Sequence, residues 1–243
     1  MSTIQLTLVR IDNCGPRTVA PEPRREMDLQ TLQSRLFVDI AQFTGSRDDC
    51  VFFTRFDNIV AAADGIDRAA HGTPKGSVRN RYPVTISLGV GVSGSPIDAL
   101  EAATDEIRAV GSAPDEDRTE VLTGEFPPAE RQRPITVAHF GLKDATGTYT
   151  DRLNEFDSVI ETEWGCVSLV EYMRRPHGAL PFFSGDSIVA ICPESSAADC
   201  RGVGRGDTTH EAGFAANTHS KSAGTTARPS SSASERSPPV VAE

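Results

Sequence analysis

The sequence predicts an α+β (α/β) protein made of two tandem ferredoxin-like domains, the second incomplete. Three observations predict it: the chain repeats itself, each half alternates strand and helix patterns, and the second half is shorter. "TIQLTLVRIDN" (Thr3–Asn13) is an apolar, β-branched run reaching Asp12, and "RPITVAHFGLKD" (Arg133–Asp144) echoes it, with Gly141 where Asp12 stands. "FFTRFDNIVA" (Phe52–Ala61) returns as "FFSGDSIVA" (Phe182–Ala190), one residue shorter and with Ser187 in place of Asn58. The spacing agrees, since the span from Gly141 to Asp186 equals that from Asp12 to Asp57. A third pair, 89–103 and 202–216, aligns without gaps.

Taken in order, Thr3–Asn13 is the first strand. Pro23 opens a helix in which Leu29, Leu32, Leu36, Ile40 and Phe43 recur at steps of three and four. The run 52–61 is a hairpin, followed by a helix over Ile66–Val78, a strand in "YPVTISLGVGV" and a helix over Ile97–Val110. Strand, helix, hairpin, helix, strand is the βαββαβ order of a ferredoxin-like unit. In the second half Leu153, Phe156, Ile160, Val167 and Val170 repeat the helical spacing up to Pro176. The span from Asp57 to Gly89 is twice that from Asp186 to Gly202, so half of that segment is missing, with the place for a helix. The expected domains are 1–112, a charged, proline-containing linker at 113–133, a truncated second unit at 134–216 and a disordered tail at 217–243. The tail is rich in Ser, Thr, Ala and Pro and cannot bury enough apolar surface to order itself. Low order is expected from about Gly202 onward, because half a domain cannot close its sheet.

Twenty-four basic against 34 acidic residues leave a net charge of −10, which excludes a nucleic-acid partner needing clustered Lys and Arg. A compact anion would need local arginines or metal ions to offset the repulsion. The five cysteines are odd in number and contain no C-x-x-C, so reduced thiols in a cytoplasmic protein are expected. No run is apolar enough to span a membrane.

Two carboxylates carry the chemical expectation. In a βαββαβ sheet the first strand lies beside the hairpin, so Asp12 and Asp57 should converge at one edge. Paired carboxylates repel unless a cation separates them, and a hard, oxygen-ligated ion such as Mg²⁺ suits the place. Two or more such ions can clamp reacting oxygens and activate water. Asp57-Asn58 is equally a good turn pair, and both readings stay open. Asp186 is the repeat's counterpart and a third candidate metal ligand. Arg24 and Arg25 open the long helix, where backbone N–H groups already favour an anion. Arg79 and Arg81 form a second basic pair. Both pairs also read as ordinary solvated arginines. "GVGVSG" (Gly89–Gly94) fits G-x-G-x-x-G but lies on the last strand of its unit, so turn chemistry is the better reading. His139 beside Phe140 reads as a core histidine, His210-Glu211 as a helix-surface pair, and Ser184 lacks the glycine pattern of a nucleophile elbow.

The stretches "IDNCGPRTV", "PEPRREMDLQTLQSRL", "VFFTRFDN", "RNRYPVT", "GSAPDEDR" and "AHF…ATGTYTD" resemble the archaeal-type GTP cyclohydrolase, the GTP cyclohydrolase III family, over nearly everything to residue 194. The resemblance implies two palm-like domains akin to those of nucleotidyl cyclases. It also implies Mg²⁺-dependent opening of the guanine imidazole ring of GTP, with the formyl group retained and phosphate released. The implied product is 2-amino-5-formylamino-6-(5-phosphoribosylamino)pyrimidin-4(3H)-one, on the way to flavin and deazaflavin precursors. Asp12 and Asp57 match the first palm's catalytic, metal-holding carboxylates. Arg24, Arg25, Asn58, Arg79 and Arg81 are then candidates for GTP. A monovalent cation is a further candidate cofactor, and homodimers or homotetramers are implied. The family's second palm carries Asp where this chain has Gly141, and G-G-D-N where it has Ser184-Gly185-Asp186-Ser187. A catalytically impaired nucleotide-binding palm protein and a nucleotidyl cyclase-like enzyme are the alternatives, the latter without a G-G-D-E-F run.

Overall fold

A computed structural model describes residues 3–12, 23–47, 49–54, 58–62, 65–111, 120–126, 136–142, 166–167, 169–171, 173–174, 178–184, 187–193 and 214–220. The first half runs β1 (Ile4–Ile11), α1 (Pro23–Gly45), β2 (Cys50–Phe53), β3 (Asn58–Ala62), α2 (Arg68–Arg81), β4 (Ile86–Ser93), α3 (Pro96–Ala109) and β5 (Leu122–Gly124). The second half contributes β6 (Thr136–Leu142), β7 (Leu180–Ser184), β8 (Ser187–Cys192) and β9 (Phe214–Ser220). Two sheets result, ordered β2-β3-β1-β4-β5 and β7-β8-β6-β9. The order 2-3-1-4 common to both is the ferredoxin-like arrangement expected from the repeat. Among the described residues, no helix is long and apolar enough to cross a membrane.

Alternation along β1 divides the first core in two, because successive side chains point to opposite faces. Val9 and Ile11, with Ile59, Ile86 and Leu88 of neighbouring strands, pack under Leu29, Leu36 and Ile40 of α1 and Val78 of α2. On the other face Leu6, Leu8, Val60 and Ala62 meet Ala99, Ala103 and Ile107 of α3. Phe182 and Ile191 of the second sheet join that cluster. The strand registers make the two sides of this contact equivalent: Leu6 corresponds to Val137, Phe52 to Phe182, Val60 to Val189 and Ala62 to Ile191. Like faces of the repeat therefore pack together, and Phe52 stacks on its own counterpart Phe182 with centroids 4.6 Å apart and planes 9° off parallel. A double-mutant cycle on Phe52→Leu and Phe182→Leu in urea denaturation is expected to give ~1 kcal/mol of coupling beyond the single losses. A value near zero would mean that the rings touch without contributing.

The helices follow their local signals. Asp67 caps α2, its Oδ1 accepting the Ala70 N–H at 2.7 Å, which starts the helix two residues after the expected Ile66. Pro96 occupies the first turn of α3, where its missing N–H has no helical partner to lose. Gln5 substitutes for a strand on the buried side, pairing its side chain with both N–H and C=O of Ile66 at 3.1 and 3.0 Å. His71 is buried between them: its Nδ1 lies 2.8 Å from Asp67 O and its Nε2 2.8 Å from Thr7 Oγ1. A ring that donates to a carbonyl through Nδ1 and accepts a hydroxyl through Nε2 is neutral. Burial lowers its pKa from the ordinary 6.5, more than Asp67 raises it. The unfolded chain therefore takes up a proton near pH 6.5 that the fold refuses. Stability is full above that pH and falls as pH drops towards the lowered value. Urea midpoints at pH 7.5 and 5.5 should differ in the wild-type chain and differ less in His71→Gln.

Two boundaries and one register differ from the sequence expectation. Leu122–Gly124, inside the expected linker, forms β5 parallel to β4. So short a strand cannot show a period, and the bare edge of β4 supplies the pairing. Phe214–Ser220 forms β9 antiparallel to β6, in the place that β4 holds beside β1. Residues 217–220, assigned by composition to the tail, thus belong to a sheet whose backbone ladder does not require apolar side chains. The gapless alignment of 202–216 on 89–103 does not give the strand pairing: Asn217, not Gly202, stands opposite His139 as Gly89 stands opposite Leu8. Measured between strands, the β3–β4 connection (63–85) and the β8–β9 connection (193–213) are nearly equal in length, so the shortfall read from the repeat does not carry over to the strands. The third difference is in register. Gly141 opposes Ser187 as Arg10 opposes Asn58, so Gly141 corresponds to Arg10 and not to Asp12. A slip of two residues keeps every side chain on its face, and alternation cannot detect it. The counterpart of Asp12 in register is Lys143, outside the described residues. His139, expected in the core, is exposed.

Candidate active site

The C-terminal end of β1 places Asp12 just past the last paired residue, 2% exposed. Its Oδ1 accepts from Ser87 Oγ at 2.6 Å. Its Oδ2 accepts from Thr85 Oγ1 at 2.7 Å and from the Glu120 N–H at 3.0 Å, and its own N–H donates to Thr85 O. The carboxylate therefore ties β1, β4 and the segment leading into β5 at one point. Two residues earlier on the same face, Arg10 donates from Nε to Asn58 Oδ1 at 2.6 Å. Asn58 closes the first hairpin, its carbonyl accepting from Thr54 N and Oγ1. The hairpin that carries Asp57 is thus held at the Asp12 end of β1. Asp57 itself lies outside the described residues, as does Asp186, so the expected convergence of the carboxylates is neither seen nor excluded. In the second hairpin Ser184 pairs directly with Ser187, which accounts for the turn being a residue shorter.

The arginine pairs fare differently. Arg24 and Arg25 fall in the first turn of α1, as the helix signal required. Their side chains lie outside what the structure describes. Arg79 and Arg81 end α2 but diverge: Arg79 Nη1 meets Glu120 Oε2 at 3.0 Å, while Arg81 reaches Asp39 of α1 at 3.3 Å. Of Arg79 and Arg81, it is Arg79 that stands beside the Asp12 cluster. Lys75, one turn earlier on α2, donates to the Glu120 carbonyl, and Arg68 donates to Leu122 O at 2.9 Å, so a basic stripe of α2 clamps the 120–122 backbone.

Arg10, Thr85, Ser87 and Glu120 were not singled out by sequence. The first three leave a readable trace: Thr85 and Ser87 are polar at period two in the otherwise apolar "TISLG", and Arg10 is a lone basic residue in "LVRID". Glu120, far from Asp12 along the chain, leaves none. Among the described residues no three His, Cys, Asp or Glu gather to hold a metal. Asp12 and Asn58 supply the oxygen chemistry of a hard cation and not that of a thiolate- or imidazole-seeking one, but their carboxylate and amide oxygens are engaged here by Ser87, Thr85, the Glu120 N–H and Arg10. The cavity between β1 and the helices, lined by Thr7, Ile40, Thr44 and His71 among others, opens on the opposite face of the sheet.

Fold and site together define a two-sheet α+β protein with an oxygen-rich, arginine-flanked cluster at the ends of its central strands. The GTP cyclohydrolase III family profile matches residues 4–203. The chain is 54% identical over 233 residues to a GTP cyclohydrolase III of Halorubrum lacusprofundi, covering 89% of this chain and 91% of that one. It is 55% identical over 195 residues to one from Natronomonas pharaonis, covering 79% and 77%. With one from Methanocaldococcus jannaschii the identity is 39% over 189 residues, covering 77% and 69%. A class III adenylyl cyclase-like ATP-binding protein from Pseudomonas aeruginosa aligns over 90% of this chain and 75% of its own. Its 10% identity and TM-score of 0.35 are too slight to bear on the site. This chain belongs to the GTP cyclohydrolase III family, a family of hydrolases.

Proposed function

We propose that this protein opens the imidazole ring of GTP, retaining the formyl carbon and releasing phosphate, to give 2-amino-5-formylamino-6-(5-phosphoribosylamino)pyrimidin-4(3H)-one. The observation that carries the reading is the family match across residues 4–203, which includes Asp12 and both hairpins. Asp12 and Asp57 would hold Mg²⁺, which when bound supplies Lewis-acid polarisation and a more acidic water. The chain's own residues set the stage for that chemistry. Arg10 fixes the hairpin through Asn58, and Thr85 and Ser87 orient the Asp12 carboxylate. Arg79, 60% exposed, would meet an anionic phosphate, with Arg24 and Arg25 as further phosphate candidates and Arg81, paired with Asp39, a weaker one. Asp186, a monovalent cation, a homodimer or homotetramer and a cytoplasmic setting belong to the same proposal. So does a division of the chain into two palm-like domains.

The test is incubation with GTP and Mg²⁺ at high salt while the guanine absorbance is followed. Loss of the purine band with phosphate release, stopped by EDTA, is the expected result. An unchanged spectrum over hours from folded protein would sink the reading, and a cyclic nucleotide with an intact purine would move the chain to cyclase chemistry.

A further inference from the structure

Two unfavourable features meet at Glu120. Its φ is 54°, in the left-handed region that crowds a residue bearing a Cβ. Its Oε1 is buried with no hydrogen-bond partner. Three contacts hold it there all the same. The backbone N–H donates to Asp12 Oδ2 at 3.0 Å, the carbonyl accepts from Lys75 Nζ, and Oε2 takes Arg79 Nη1 at 3.0 Å. One residue thus presents its N–H to the carboxylate at the end of β1 and its carboxylate to the arginine at the end of α2. A residue kept only to shape the chain at this positive φ would be served as well by glycine, which has no crowding and no buried oxygen to leave unpaired.

We propose that Glu120 is a positioning residue that sets Arg79 relative to Asp12 for the reaction, an inference that rests on the function proposed above. Backbone strain and an unsatisfied polar atom gathered at one residue persist where the surroundings impose them, and they cluster at functional sites. Glu120 acts through Arg79. Its Oε2 fixes the direction of a guanidinium that is otherwise largely in solvent and moderates its charge. Without it, Arg79 still attracts a triphosphate but no longer presents one geometry.

Glu120→Gly keeps the N–H to Asp12, relieves the backbone and removes the side chain, whereas Glu120→Gln keeps the volume and removes the charge. Both are expected to lower kcat for ring opening about 10-fold or more without raising KM for GTP, since misorientation and not lost attraction is the defect. The urea midpoint of Glu120→Gly should be no lower than that of the wild type. In an Arg79→Gln background, Glu120→Gln should lower kcat by less than about two-fold, because its route is already gone. An unchanged kcat in Glu120→Gly and Glu120→Gln, with wild-type protein turning over, overturns this inference alone. So does an equal loss in the presence and absence of Arg79. If Glu120→Gly does not fold, the structural role is the larger one and Glu120→Gln with its Arg79→Gln cycle decides. Wild-type protein that neither binds nor opens GTP overturns the functional reading and this one with it.

Discussion

Asp12→Asn is expected to abolish ring opening while leaving the fold nearly intact, and Asp12→Ala is expected to lose both. The difference lies in who donates to the carboxylate. Alanine strands Ser87 Oγ, Thr85 Oγ1 and the Glu120 N–H around a buried gap. At ~1–3 kcal/mol for each unpaired buried donor, partly recovered by relaxation, the loss is about 3 kcal/mol or more. Asparagine can set its single oxygen where Oδ2 lies, accepting from Thr85 and Glu120, and turn its NH₂ towards Ser87. Ser87 Oγ already accepts the Val121 N–H at 3.1 Å, so taking the NH₂ as well leaves its own O–H without the Asp12 acceptor, and the structural loss falls to ~1–3 kcal/mol, that of one unpaired buried donor. The negative charge is gone in both variants. If Asp12 holds the cation that the proposed reaction needs, kcat/KM for GTP drops roughly 10³-fold in Asp12→Asn as well, about 4 kcal/mol of transition-state stabilisation. Urea denaturation and the guanine absorbance assay, run on the same preparations, separate the two losses. Asp12→Asn retaining more than a tenth of the wild-type rate would reduce Asp12 to a clamp between β1, β4 and the start of β5.

The first domain was legible because its signals are local and redundant. Pro23 and the leucine spacing mark α1, and the helices expected over 66–78 and 97–110 lie within a few residues of the observed ends of α2 and α3. The ferredoxin-like order followed from the order of those elements alone. What escaped was everything decided by pairing between distant segments. β5 is very short and exists because β4 has an open edge and Arg68, Lys75 and Asp12 grip its approach. β9 has no apolar alternation and is held by the ladder along β6. The comparison of Gly141 with Asp12 failed for a related reason, since a two-residue slip leaves burial unchanged and only the register reveals it. At the site, Asp12 and Asn58 were visible as polar residues at strand ends. Arg79 and Arg81 looked like a pair in sequence but, two apart on a helix, face different neighbours. Glu120 could not have been found at all without the fold.

Gly91→Ala is expected to cost about 3 kcal/mol or more of stability, a large effect for one methyl group on a strand, and it decides what the G-x-G-x-x-G pattern at 89–94 is for. A Cβ on Gly91 would lie 2.0 Å from Ala99 O and 2.6 Å from Ala103 N. On Gly89 it would lie 2.2 Å from Ala103 O and 2.7 Å from Ile107 Cγ1. Both glycines are on the face of β4 that carries α3, and Ala99, Ala103 and Ile107 facing them are fully buried. Glycines two apart on the strand meet small residues four apart on the helix, so the helix backbone rests directly on the sheet. Because the atoms nearest a Gly91 Cβ are backbone, truncating a side chain cannot relieve them: Ala99→Gly leaves Ala99 O where it is and should not rescue Gly91→Ala. The methyl group can be admitted only by lifting α3, which also disturbs Leu6, Val60 and, through the shared cluster, Phe182 and Ile191 of the second sheet. Val92→Ala, on the opposite face of the same strand and only half-buried, serves as the control and should cost about 1 kcal/mol. A phosphate-cradling role makes the contrary forecast, in which Gly91→Ala keeps its urea midpoint and loses affinity for GTP. The midpoint of that variant therefore separates packing from ligand binding, and a shift smaller than that of Val92→Ala would sink the packing account.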